Sequence, residues 1–215
     1  VIVGGFIYFP HVVSFIKQEN VIFIGHNLMG YDNILLNYII KYVNSLNFEK
    51  GLTICKKLKE VSDLVINKKR NEKWNPKLKD LITTKVFKFI DTLAIMNTID
   101  RVGIKQASVN LKYNNVQDLP YEPNKLLTFE ERQKVKQYCF NDCNISLLLY
   151  ESKLKDLELR KDISLRYGLD VMNSNDTAIA KKILTKYYSE QTGLEENDFK
   201  DLRSYNKSFF LAEIM

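Results

Sequence analysis

One juncture constrains the fold of this chain more than any other. The apolar run Val21–Gly25 passes through Gly25–Asn33 (GHNLMGYDN) directly into a helical repeat. A short, continuous, β-rich run is the pattern of a strand buried on both faces. From Asp32 or Asn33 to about Leu46, Ile34, Leu35, Tyr38, Ile39 and Val43 recur at the spacing that lines one face of a helix. Gly30 supplies a turn between the two. The same transition recurs at Val86–Ile95 (VFKFIDTLAI), a second buried strand running into a helix. Strand–helix units that close on a long helix imply an α/β architecture.

The remaining segments fit around these two units. Residues 1–9 read as a strand or bent hairpin arm, with Gly4-Gly5 as its bulge or turn. Pro10 opens a short helical stretch to Asn20, with Val13, Ile16 and Val12 as its apolar positions. Residues 47–80 are polar and rich in Lys and Asn, with a helix around Leu52–Ile66 and a loop at Asn71–Lys79. A short helix is expected around Ser108–Tyr113, then a loop marked by Pro120 and Pro123. Thr128, with Glu131 three residues later, is a capping box that opens a long helix. Val135, Tyr138, Asp142, Ile145 and Leu149 share one stripe of that helix. Residues 157–215 read as helical, broken at Gly168 and Gly193. The expected division is a domain over 1–156 and a helical extension, or the start of a following domain, over 157–215.

Composition narrows the class. The balance of 32 basic and 26 acidic residues gives +6, compatible with a nucleic-acid partner without demanding one. Lys56, Lys57, Lys59, Lys68, Lys69, Arg70 and Lys73 fall in one polar stretch near Trp74. That stretch reads either as a solvated face or as a strip for phosphates with an aromatic for stacking. Cys55, Cys139 and Cys143 form no Cys-x-x-Cys pair, which fits a reducing cytosol and thiols acting as small buried hydrophobes. No apolar run reaches the roughly 20 residues of a membrane-spanning helix, so no membrane partner is expected and the expected location is cytoplasmic, the host cytoplasm for a viral source.

Two places carry chemistry. Asp32 stands where a strand gives way to a helix, the edge of an α/β sheet at which active sites collect. An aspartate there also serves as an ordinary helix cap, and the residue alone does not choose between the roles. Tyr138 and Asp142 lie four apart on a helix and so share a face. An aspartate within an apolar stripe is unfavourable to bury unless it is paired or bound to a cation.

In order and context, these elements resemble the DnaQ-like superfamily of 3′→5′ exonucleases, which has the RNase H-like fold. The resemblance spans Pro10 to Tyr150 and is closest to the proofreading exonuclease regions of family B and phage-type DNA polymerases. Asn27, Tyr31 and Asp32 match the second motif of that family. Tyr138 and Asp142 match the third, in its tyrosine form, and Asp91-Thr92-Leu93 matches the segment between them. The resemblance implies a mixed sheet flanked by helices and hydrolysis of terminal phosphodiesters of DNA. It further implies two Mg2+ or Mn2+ ions, with Asp32 and Asp142 as metal ligands and catalytic residues. Tyr138 would orient the attacking water, while Asn27, Tyr31 and His26 would meet substrate. His26 is otherwise structural, and Asp118 and Glu122 are read as surface residues. The implied partners are single-stranded DNA or DNA 3′ ends, with a polymerase domain or subunit alongside and a phage or virus as the setting.

The family's first motif, an Asp-x-Glu pair on the first strand, has no counterpart before Asn27, where Glu19 is the only acid. Two carboxylates neutralise two dications poorly. The family's N-terminal strands are also expected to be short in number here, leaving Val21–Gly25 with an open apolar edge. The expectation is a fragment whose preceding segment carries the pair; the alternative is a non-catalytic nucleic-acid-binding or scaffold relative. An exonuclease acting on RNA is a third reading, since choice of sugar rests on contacts to the 2′-hydroxyl.

Overall fold

The computed structural model describes residues 2–3, 6–7, 9–47, 51–68, 75–83, 87–96 and 102–194. Lys69, Arg70, Lys73 and Trp74 of the basic stretch lie outside them. The chain divides into two compact units, Val1–Leu154 and Lys155–Met215.

In the first unit, β1 (Ile2–Val3) pairs antiparallel with β2 (Phe6–Ile7), placing Ile2 opposite Ile7 and Val3 opposite Phe6. Helix α1 (Phe9–Ile16) follows, with Pro10 in its first turn, where a missing N–H removes no helical bond. Next come β3 (Ile22–Gly25), α2 (Asp32–Asn47) and α3 (Gly51–Ile66). A 3-10 turn at Pro76–Leu78 leads into α4 (Lys79–Thr83), β4 (Lys88–Asp91) and α5 (Thr92–Ile95). The unit closes with α6 (Ile104–Asn110) and α7 (Phe129–Ser152).

Strands β3 and β4 run parallel, in register from Ile22 opposite Lys88 to Gly25 opposite Asp91. A parallel pair needs a long crossover, here supplied by α2, α3 and α4. Because the strands end level, the loops leaving Gly25 and Asp91 emerge side by side. The architecture is α/β and predominantly helical, with a two-stranded parallel sheet among the described residues.

The expected double-sided burial of Val21–Gly25 is corrected by the structure. Ile22 is 55% exposed and the other residues of β3 are half-buried. Among the described residues β3 has a strand partner only in β4, so the flanking layers do not enclose it. The loop expected over Asn71–Lys79 is corrected from Pro76 onward. Leu78 and Leu81 turn inward there to meet Ile34, Val61 and Val65, and that burial winds the segment into helical turns. The helix expected at Ser108–Tyr113 starts earlier, at Ile104, because Ile104 and Ala107 pack with Ile145 and Leu149 of α7. Lys112, at φ 58°, ends that segment in the left-handed region. All three cysteines are exposed, against the expectation of buried thiols.

A second cluster joins Ile16 of α1, Leu28 and Phe87, with Phe23, Leu36, Ile40 and Phe89 against it. It ties α2 to the sheet, so the start of α2 is anchored to the strand end that delivers it. The capping box on α7 is complete. The Glu131 N–H donates to the Thr128 hydroxyl (3.3 Å), and the Thr128 N–H donates to the Glu131 carboxylate (2.9 Å). Such a cap stabilises a helix by about 1 kcal/mol.

The second unit is a pair of helices, α8 (Leu154–Tyr167) and α9 (Asp176–Thr192), ending at Gly168 and Gly193. Both glycines are left-handed, at φ 63° and 70°, as an αL helix terminus requires. The connection is held by Arg160, which is 2% exposed. Its guanidinium donates to the Ser174 carbonyl (3.2 Å), the Asp156 carbonyl (3.0 Å) and the Asp176 carboxylate (3.0 Å). A buried guanidinium is tolerated because each nitrogen has an acceptor.

Candidate functional site

The side-by-side exit of the two strands is fixed by one carboxylate. Asp91, 3% exposed, is the last residue of β4 and the N-cap of α5. Its Oδ1 accepts the N–H of Asn27 (2.9 Å) and of Leu93 (3.1 Å), and its Oδ2 accepts the N–H of Met29 (2.8 Å). Asp91 therefore shapes the loop from Gly25 to Asp32. Sequence reasoning matched this residue to a family segment without giving it a role. The available signal was an aspartate at a strand end, followed by a helix start.

Within that loop Asn27 adopts φ 63°, a left-handed conformation that asparagine tolerates better than most residues. Its carbonyl accepts the N–H groups of Gly30 and Tyr31, both at 3.1 Å. Its side chain lies over Gly30, where an added Cβ would sit 2.4 Å from Asn27 Oδ1. His26 points across to the second crossover: Nε2 donates to the Val102 carbonyl (2.7 Å) and Nδ1 faces the Thr92 hydroxyl (3.0 Å). The Thr92 hydroxyl in turn donates to the Gly25 carbonyl (3.2 Å). With both nitrogens engaged inside the protein, His26 takes the structural role of its two readings. Tyr31 is also tied inward: its hydroxyl meets Ser62 Oγ of α3 at 2.8 Å, and its ring packs on the Ile34 cluster. A substrate contact for Tyr31 would have to coexist with that bond.

Asp32 is the first residue of α2. Its carboxyl is held above the usual carboxylate range, chiefly by the protein crowded around it and further by the charge of Asp91. A hydrogen bond from its own backbone N–H works in the opposite direction. Asp32 is nonetheless an exposed residue, so solvent screens much of this effect. An aspartate at a helix start normally ionises easily; this one is placed where ionisation is disfavoured.

Tyr138 and Asp142 occupy the inward stripe of α7, both half-buried, one turn below the fully buried Ile145 and Leu149. Helix α7 packs against β3, α5 and α6. The Tyr138 phenol is pushed up to about 12 by burial first, then by its hydrogen bond to Asp142 and that carboxylate's charge. Tyr138 is thus a neutral hydroxyl at physiological pH, within the influence of the Asp142 carboxylate. The thiol of Cys139, exposed though it is, is raised as well, by the chain close around it and then the Asp142 charge, and so stays a thiol rather than a nucleophilic thiolate.

Between these two residues Asn141 is 4% exposed. Its Oδ1 accepts the Tyr113 hydroxyl (2.7 Å) and Asn115 Nδ2 (3.1 Å), and its Nδ2 donates to the Asn115 carbonyl (3.1 Å). This amide staples the loop after α6 onto the helix that carries Tyr138 and Asp142. Farther along that loop, Asp118 is ion-paired with Lys105 of α6 and adds its charge to the surroundings of Tyr138. Glu122 is exposed and borders an open groove with Leu119, Pro120, Tyr121, Pro123 and Lys125.

Two carboxylates therefore act on a neighbour through charge: Asp91 on Asp32 at the strand ends, and Asp142 on Tyr138 along α7. Among the described residues no three His, Cys, Asp or Glu side chains converge as a metal ion requires. Asp91 is committed to three backbone donors. Asp32 and Asp142 alone do not fit a site for two divalent ions, in line with the missing acidic pair in the sequence. No model of a known family, no curated protein and no solved structure matches the chain. Among the described residues no helix is long and apolar enough to cross a membrane.

Proposed function

We propose that this chain carries half of the active site of a DnaQ-like 3′→5′ exonuclease of the tyrosine subgroup, with an RNase H-like fold. The observation that supports it most is positional. Asp32 begins the helix that leaves the carboxyl end of β3, and the helix bearing Tyr138 and Asp142 packs against that same strand. The reading assigns water attack on the terminal phosphodiester of single-stranded or frayed DNA, releasing nucleoside monophosphates, in proofreading beside a polymerase of a phage or virus. Tyr138 orients water through a hydroxyl that stays protonated well beyond neutral pH. Mg2+ or Mn2+, if used, needs carboxylates in addition to Asp32 and Asp142.

The test is a cleavage ladder from 5′-labelled single-stranded DNA with Mg2+ and the full-length gene product. The expected result is stepwise shortening from the 3′ end, abolished by Asp142→Ala with an unchanged thermal melt and slowed by Tyr138→Phe. Absence of shortened products at micromolar protein refutes the enzyme. A second reading is a nucleic-acid-binding module without catalysis. Retained DNA binding without cleavage would select it. Preferential shortening of an RNA strand would select the ribonuclease of the same superfamily.

A further inference from the structure

Beside the Tyr138–Asp142 pair sits a charge arrangement that the exonuclease reading does not use. The Lys105 ammonium on α6 is closed by the Asp118 carboxylate, and Asp118 is carried by a loop stapled to α7 through Asn115 and Asn141. The staple places this ion pair at the border of the candidate site, where Asp118 is near enough to act on the Tyr138 phenol. The Asp118 side chain is 94% exposed and that of Lys105 is 42% exposed. An ion pair so open to water contributes little to stability and opens readily. Its remaining effect is electrostatic: while closed, it covers a cation and presents an anion toward any phosphate approaching Asp142.

We infer that Lys105 contacts a backbone phosphate of single-stranded DNA entering beside Tyr138 and Asp142, and that Asp118 occupies the place of that phosphate in the free protein. This rests on the proposed function, since it takes the DNA strand as the ligand of that site. The geometry supplies the logic. A phosphodiester carries the same single negative charge and acceptor oxygens as the carboxylate it displaces. The exchange needs only a loop side chain to turn outward, because Asn141 holds Asn115 while the Asp118 side chain, bonded to Lys105, lies 94% exposed. Asp118 is then a built-in competitor that weakens binding, and Lys105 is a positioning residue for substrate.

The two residues should shift affinity in opposite directions, which a general change in net charge cannot mimic in combination. Fluorescence anisotropy with a labelled oligo-dT single strand measures binding to the unmodified full chain, Lys105→Ala, Asp118→Asn and the double variant across a salt series. Lys105→Ala should weaken binding about 3- to 10-fold at low salt and flatten the logarithmic salt slope by about 0.7, the value of one single-strand phosphate contact. Asp118→Asn should tighten binding about 2- to 5-fold. In the Lys105→Ala background, Asp118→Asn should have no more than the weak effect of one removed surface charge. Equal tightening by Asp118→Asn with and without Lys105 overturns the inference, as does an unchanged salt slope in Lys105→Ala. Failure of the unmodified chain to bind the strand at all overturns the parent reading and this one with it. Both side chains are on the surface, and matched far-ultraviolet spectra show that the variants fold.

Discussion

Removing the Asp91 carboxylate should release the loop that carries Asp32, and the size of the effect follows from its three acceptor contacts. A hydrogen bond to a charged acceptor has a net worth of roughly 1.5–3 kcal/mol. Met29 is 46% exposed, so water can partly replace its lost partner. Taking the low end for each of three bonds, Asp91→Ala should destabilise the first unit by about 4 kcal/mol. Asp91→Asn should be milder. An amide oxygen in place of Oδ1 still serves Asn27 and Leu93, but its NH2 then faces the Met29 N–H and that bond is lost. The expected cost is about 2 kcal/mol. A single unfolding transition would blend the two units, so native-state hydrogen exchange read at the Asn27, Met29 and Leu93 amides is the assay. Protection at all three should collapse in Asp91→Ala, while Asp91→Asn should lose Met29 selectively. Wild-type protection at Asn27 and Met29 in Asp91→Ala, or equal losses in both variants, would refute the assignment of Asp91 as the clamp.

Three further outcomes are expected. Absorbance titration near 295 nm should show Tyr138 ionising at about 12, and Asp142→Asn should bring it down without restoring the ordinary value of 10, since burial persists. The linkage has a definite sign: a raised phenol stabilises the fold fully below about pH 10, and this contribution is lost as pH rises through about 12. Stability that is flat over that window in the wild type, or unchanged by Asp142→Asn, contradicts the pair. Asp32→Asn should raise the melting temperature at pH 7 only slightly, by about 1 °C, because the ionised carboxylate is disfavoured where it stands but solvent screens much of that effect at this exposed residue. A clear drop in the melt would make Asp32 a stabilising cap instead. Gly30→Ala should turn the Asn27 side chain out of place, since its new Cβ would lie 2.4 Å from Oδ1, and should cost about 1–2 kcal/mol. An unshifted Asn27 side-chain amide in the nuclear magnetic resonance spectrum of Gly30→Ala would count against that contact.

Local signals were legible in the sequence where one residue type has one physical job. Thr128 with Glu131 marks a helix start because both orphan N–H groups find partners within the motif. Gly168 and Gly193 mark helix ends because φ near 60–70° excludes most side chains. The inward stripe of Ile145 and Leu149 followed from helical period alone. What period cannot report is how many layers surround an element. Val21–Gly25 has the composition of a strand enclosed on both faces, yet Ile22 reaches solvent because enclosure depends on neighbours that composition does not count. The helical turns at Pro76–Thr83 escaped notice for a related reason: Leu78 and Leu81 are too few to show a repeat and become helical by packing on a core assembled elsewhere.

The candidate site divides along the same line. Asp32, Tyr138 and Asp142 were visible because an acid at a strand end, or inside an apolar stripe, conflicts with the cheapest local arrangement. Their supports were not, because an asparagine or aspartate in a loop has many possible partners. The Asp91 clamp reaches Asn27 and Met29, 64 and 62 positions away, and the Asn141 staple reaches Tyr113 and Asn115, 28 and 26 positions away. The structure also separates motif residues by task. Tyr31 and His26 hold the loop to α3 and to Val102, whereas the carboxyl of Asp32, an exposed residue, is raised by the chain close around it and by the charge of Asp91. Asp32 stands at the exposed start of α2, where the chain around its carboxyl and the charge of Asp91 favour the protonated form, a shift that functional sites and structural charge clusters both produce. The melting temperature of Asp32→Asn measures that shift and separates it from a capping role, which would lower the melt instead.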